Sequence, residues 1–221
     1  MVASIDGPAG VGKSTVARRC AEAAGLLYVN SGSFYRAITL AVLESGKPPA
    51  EVDAVIAVAR ACRLEMRGAC LCLNGRHVEN LLHSDAVDEW VAAQSSIPEI
   101  RRIVNDRLRE IVAGKDVLVE GRDIGTVVFP SAEVKIFLDA DVSTRAARRH
   151  AQGVTNLPLE EVKKSIAARD TVDRTKPSGQ LRAAPDALHI DTSHLTIDQV
   201  CDRVIEAILV KKNNPGDIRG L

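Results

Sequence analysis

At 221 residues, 46% of them hydrophobic, the chain is long enough for one substantial core, and its 29 Lys and Arg balance its 29 Asp and Glu. That balance supplies no overall attraction to nucleic acid or to an anionic membrane, so any anion has to be recognised locally. No apolar run approaches a membrane span, and a first strand starting almost at Met1 leaves no room for a signal peptide, so a cytoplasmic monomer is the expectation.

Residues 2–5 read as a short buried strand, followed by GPAGVGKS over 7–14. This fits the phosphate-binding pattern G-x-x-x-x-G-K-[ST] in its required setting, between a strand and a helix at 14–24. Backbone N–H donors must converge closely on a phosphate, and Gly7, Gly10 and Gly12 allow the chain to curl that tightly. Pro8, Ala9, Val11 and Thr15 complete the loop, Lys13 adds charge for the outer phosphates, and Ser14 offers a hydroxyl to Mg²⁺. Gly25 ends the first helix; a second strand at 26–30 leads to a helix starting near Ser33 and stopping before Gly46. A helix over 51–62 precedes a β-hairpin over 64–78, turned at Asn74-Gly75, which suggests a small inserted subdomain. Ser96-Ile-Pro-Glu99 has the form of a capping box opening a helix that runs to about 112 and stops at Gly114. Further strands at 117–120, 134–139 and 187–191 bring the core strands to five, alternating with helices, which predicts a three-layer α/β/α fold on a five-stranded parallel sheet.

The stretch 145–184 holds Arg145, Arg148, Arg149, Arg169, Arg174, Lys176 and Arg182 between turn residues, and predicts two joined helices forming a closing lid. Within it Arg145 and Arg149 are expected on the surface. The tail 213–221, with Pro215 and Gly216, is expected to be disordered. Five cysteines, Cys20, Cys62, Cys70, Cys72 and Cys201, lack metal-site spacing and read as reduced small hydrophobes.

Candidate chemistry lies just after the strands, where open α/β sheets bind ligands. Strand two runs into NSGSFYR (30–36), where Ser31 and Arg36 can receive a second phosphate. Strand three ends in EGRDIG (120–125): Arg122 can hold an anion and Asp123 can accept from an amino group. Arginines from separate segments suit phosphoryl transfer, which needs positioning and charge neutralisation more than a general base.

The loop GPAGVGKS, then NSGSFYRA, VEGRDIGTVVFPSAEVKIFLDA and RDTVDR, in that order, resemble bacterial cytidylate kinase, a nucleoside monophosphate kinase family, over nearly the whole chain. The resemblance implies a Mg²⁺-dependent transfer from ATP to CMP or dCMP. It implies one kinase domain: a monophosphate-binding part over about 31–112 with an insertion near 63–90, and a lid at 145–184. Residue by residue, it implies that the loop residues Gly7 to Thr15 bind ATP, with Lys13 catalytic and Ser14 near Mg²⁺. Ser31 and Arg36 would contact the monophosphate, Arg122 its phosphate, Arg101 and Asp123 the cytosine, and Asp173 the sugar hydroxyls. Arg148 and Arg169 would be lid arginines at the transferred phosphate. The chain departs from the family pattern at Asn30, Ala92, Gln180 and Lys176, the last standing where an arginine reads the base. An adenylate, shikimate or dephospho-coenzyme A kinase would share the loop and lid; the GRDIG segment and the hairpin favour CMP. A nucleotide switch would need a guanine-selecting N-K-x-D, which the sequence lacks.

Overall fold

The structure, a computed structural model, describes residues 1–151, 153 and 157–213. In chain order the elements are β1 (Val2–Asp6), α1 (Lys13–Ala24), β2 (Leu27–Asn30), α2 (Ser31–Glu44), α3 (Val52–Ala61), β3 (Leu64–Arg67), β4 (Cys70–Leu73), β5 (Arg76–His77), α4 (Asp85–Gln94), α5 (Pro98–Val112), β6 (Val117–Gly121), β7 (Val134–Asp139), α6 (Val142–Ala151), α7 (Leu159–Thr175), β8 (Leu188–Asp191) and α8 (Ile197–Asn213). A 3₁₀ turn at Glu79–Leu81 and a π turn at Ile124–Val128 complete them. Contacts divide the chain into two compact units, one made of Met1–Tyr28 with everything from Lys115 onward, the other of Val29–Gly114.

The first unit carries the sheet, in the order β2-β6-β1-β7-β8, with β2 leading the chain out of it. β1 is central and parallel to both neighbours: Val2 to Asp6 lie opposite Val117 to Gly121, and Ala3 to Asp6 opposite Val134 to Phe137. A strand buried on both faces has to be apolar almost throughout, as VASID and VLVEG are until their last residues. Ile5, Leu118, Ile136 and Leu138 form the core with Val16 of α1 and Val204 of α8. The expected five-stranded parallel sheet is therefore present, and the polar ends of its strands, Asp6 and Glu120, stand at the edge where ligands bind in such sheets.

In the second unit α2 packs against α3, α4 and α5. Ile100, Val104 and Leu108 recur every fourth residue and give α5 its buried stripe. The expected hairpin is a three-stranded antiparallel sheet, β3-β4-β5, because a second turn at Gly68 precedes the one at Asn74-Gly75. Asn74 and Gly75 both take positive φ, 51° and 82°, as a two-residue hairpin loop requires. The capping box does not form. Ile97 is the N-cap of α5, Pro98 occupies its first turn, and the Ser96 hydroxyl donates backward to the Ala92 carbonyl at 3.0 Å. Four of the cysteines are buried and Cys70 is exposed, all as free thiols. α8 continues through Asn213; the rest of the expected disordered tail lies outside the described residues, as does part of the turn after α6.

Candidate active site

The loop leaves the end of β1 at Gly7, whose φ is 155° and whose would-be Cβ points into the Leu138 carbonyl, so only glycine fits. α1 begins with Gly12 as its N-cap and therefore without a side-chain cap, which leaves its first-turn N–H groups to an anion. Lys13 is buried. Its ammonium donates to the carbonyls of Gly7 and Pro8, both at 2.7 Å. Burial, then the charge of Arg122, hold its pKa well below the usual lysine value, against the pull of Glu120, Asp6 and Asp173. Ser14 and Thr15 are exposed one residue further on.

The same charges locate the rest of the cluster, since Asp6, Glu120, Arg122 and Asp173 all act on Lys13. Glu120 Oε1 accepts the Tyr28 hydroxyl at 2.6 Å, and the Arg18 guanidinium lies 5.2 Å from the centre of the Tyr28 ring. Arg122 Nε donates to Asp173 Oδ2 at 3.0 Å, while Lys176 Nζ donates to Asp173 Oδ1 at 3.2 Å. Burial works to raise the Asp173 pKa, but Arg122 and Lys176 outweigh it and hold the carboxyl below its usual range. Asp123 is buried at the start of the π turn. Arg122 of the EGRDIG segment, with Asp123 next to it, thus meets Asp173 of RDTVDR and Lys176, noted as a departure, within the first unit.

The predicted lid arginines divide. Arg169 is exposed on α7. Arg148 is engaged elsewhere, donating to Thr192 Oγ1 at 2.9 Å and to the Thr192 carbonyl at 2.6 Å. Arg149 is exposed as expected, but Arg145 is not: it is 2% exposed, with Nε on the Ala140 carbonyl at 2.9 Å, one terminal nitrogen on the Ala9 carbonyl at 3.0 Å and the other on Asp170 Oδ2 at 2.5 Å. The surface expectation failed because the partners that bury this guanidinium stand 136 and 25 residues away.

In the second unit Ser31 opens α2 and is buried. Asn30, flagged as a departure, is the N-cap of that helix, accepting from Gly32 N at 2.9 Å, so the carboxamide keeps a capping role. Arg36 donates to the Leu82 carbonyl at 2.9 Å and pairs with Asp88 at 2.7 Å. Arg101 is buried, its guanidinium 5.5 Å from the centre of the Tyr35 ring and donating to the Ser95 carbonyl at 3.4 Å. Ala92 is exposed on α4.

Sequence reasoning missed Asp6, Tyr28 and Arg145 as parts of this arrangement. A carboxylate closing a mostly apolar strand, directly before the first loop glycine, was the available signal for Asp6.

The cytidylate kinase family model matches residues 3–210. The cytidylate kinase of Caldanaerobacter subterraneus subsp. tengcongensis is 39% identical over 218 residues, covering 97% of this chain and 96% of that protein. The cytidylate kinase of Mycobacterium avium is 43% identical over 216 residues, covering 94% and 95%. Among solved structures, an uncharacterized protein from Eubacterium ventriosum is similar with a TM-score of 0.53 at 13% identity, covering 94% of this chain and 98% of that one, a likeness of fold. With its phosphate loop, its EGRDIG segment and relatives matched over nearly their whole length, the chain belongs to the cytidylate kinase family.

Proposed function

We propose that this protein transfers the γ-phosphoryl group of ATP to CMP or dCMP, giving ADP and CDP or dCDP. The observation that carries the reading is the cluster around Lys13, in which a phosphate loop, Arg122 and Asp173 act on one ammonium group, in a chain of this family.

The loop amides and Lys13 would hold the ATP phosphates. Lys13 has first to leave the Gly7 and Pro8 carbonyls, and an incoming phosphate compensates by accepting the same hydrogen bonds with charged oxygens. An oxygen of the CMP phosphate attacks the γ-phosphorus as the bond to the ADP oxygen breaks in line. Arg122, with Arg148 and Arg169, would neutralise the charge spread over the transferred group. For Arg148 that requires release from Thr192. We assign Ser31, Arg36, Arg101, Asp123, Asp173 and Lys176 to CMP, residues 31–112 to monophosphate binding with the insertion at 63–90, and 145–184 to the lid.

Magnesium fits this donor set. Ser14, an exposed residue in the first turn of α1, offers a hydroxyl beside the loop, and a magnesium ion usually needs only one or two protein oxygens besides phosphates and water. Bound there it would screen the charge between the β- and γ-phosphates. Among the described residues no helix is long and apolar enough to cross a membrane, and we read the protein as a cytoplasmic monomer acting on small nucleotides. ADP release measured with CMP, dCMP, UMP and AMP tests the reading: turnover should be fastest with CMP or dCMP, and faster turnover of AMP or UMP would refute it.

A further inference from the structure

Asp6 closes β1 and is almost wholly buried, one residue ahead of the phosphate loop. A carboxylate in a parallel strand costs heavily in lost hydration unless both oxygens are bonded. Here both are. Oδ1 accepts Ile124 N at 2.9 Å and Oδ2 accepts Gly125 N at 2.8 Å, from a segment 118 and 119 residues further along the chain. These two N–H groups open the π turn Ile124–Val128, whose own N-cap, Asp123, makes no side-chain capping bond. First-turn donors have no partner within a helix, so Asp6 caps this turn from another element.

Contact with β1 also sets how closely the segment lies on it. A Cβ added at Gly125 would stand 2.9 Å from Ser4 Oγ and 3.3 Å from Lys135 Cγ and Cδ. Ser4 and Asp6 alternate onto one face of the strand, and both meet the turn. Immediately before it stand Arg122, tied to Asp173, and Asp123.

We propose that Asp6 is a positioning residue for the phosphoryl acceptor: by capping the turn at Ile124 and Gly125 it fixes where Arg122 and Asp123 stand, and so sets acceptor affinity more than donor affinity. The proposal rests on the kinase reading above. Burial pushes the Asp6 carboxyl up to about 6, opposed by the two amides; Asp123 adds to the rise and Lys13 opposes it. At neutral pH the clamp is therefore the ionised, stronger acceptor.

Asp6→Asn tests it, because the carboxamide keeps the volume and one acceptor but turns an N–H₂ toward the second amide. Steady-state kinetics with CMP and ATP varied separately should show KM for CMP raised about tenfold or more, with KM for ATP within about threefold. Equal changes in both, or an unchanged KM for CMP, would overturn the proposal. Hydrogen exchange in the ligand-free protein should be at least about tenfold faster at the Ile124 and Gly125 amides of the variant; unchanged protection would overturn the clamp itself. If Asp6→Asn fails to fold, Gly125→Ala presses a methyl toward Ser4 Oγ with Asp6 intact and should give the same split in KM, eased by adding Ser4→Ala. No change in KM for CMP in Gly125→Ala overturns the proposal. A wild-type protein inactive on CMP would refute the kinase assignment, while the exchange measurement would still decide the clamp.

Discussion

The phosphate loop and the α6–α7 helix pair belong to the same unit and are built in opposite ways. The loop is held largely by contacts close in sequence, Lys13 bonding back to carbonyls five and six residues away, with Gly7 pressed against Leu138 and Arg145 on the Ala9 carbonyl as its distant supports. The helix pair is placed by side chains reaching across the fold, Arg145 to Ala9 and Asp170, and Asp173 to Arg122 51 residues earlier. A site held by local geometry tolerates changes in distant packing, whereas one held by buried ion pairs depends on every partner. Replacing Lys13 should therefore remove chemistry and leave the fold, and replacing Arg145 should cost fold stability first.

The sharpest contrast is Lys13→Ala. Loss of the charge aimed at the transferred phosphate should lower kcat about 10²- to 10³-fold. Thermal unfolding should be little changed, since an ammonium whose pKa is depressed by burial adds little stability. A near-normal kcat in the folded variant would show that the loop does not act through Lys13.

Arg145→Ala should break the other member of the comparison. It strands Asp170 in a buried position and should cost about 3–5 kcal/mol in denaturant unfolding; a loss below about 1 kcal/mol would mean the pair does not hold α6 to α7.

A smaller effect is expected from pH. The Asp6 carboxyl rises from 3.8 to about 6 on folding, so between those values the folded chain holds a proton that the unfolded chain has lost. The protonated form's contribution is complete below pH 3.8 and is lost as pH rises through about 6, on the order of 3 kcal/mol in all. Denaturant midpoints of the wild type and Asp6→Asn should therefore diverge at acid pH, the wild type gaining relative stability as pH falls; parallel curves would contradict this.

Asp123→Ala should raise KM for CMP about tenfold with less change for ATP, and equal effects on both would remove its role with the base. Smallest of all, Arg149→Ala, on the exposed face of α6, should alter stability by no more than about 0.5 kcal/mol.

The same contrast explains what could be read from the residues alone. The loop, the five strands and the Asn74-Gly75 turn depend on neighbours in sequence and stood out at once. The Ser96 capping box failed because Pro98 starts α5 one residue later than the motif assumes, leaving Ser96 to bond the end of α4. Asn30 stood out only as a departure from the family pattern, and the structure shows it capping α2. Arg145 was misplaced at the surface, and Asp6 went unnoticed, because their partners are distant in sequence: Ala9 and Asp170 stand 136 and 25 residues from Arg145, Ile124 and Gly125 118 and 119 residues from Asp6. Charge periodicity cannot reveal such partners. Arg122, Asp123 and Asp173 were recognisable as a set only through the ordered family motifs; the structure adds that Arg122 and Asp173 are bonded to each other.

The phosphoryl transfer proposed above runs from ATP to a cytidine monophosphate. ADP release by the purified protein with ATP, Mg²⁺ and each of CMP, dCMP, UMP and AMP measures it directly. CMP or dCMP should give the highest kcat/KM; a higher value for AMP or UMP, or no ADP release with any of the four, would rule that transfer out.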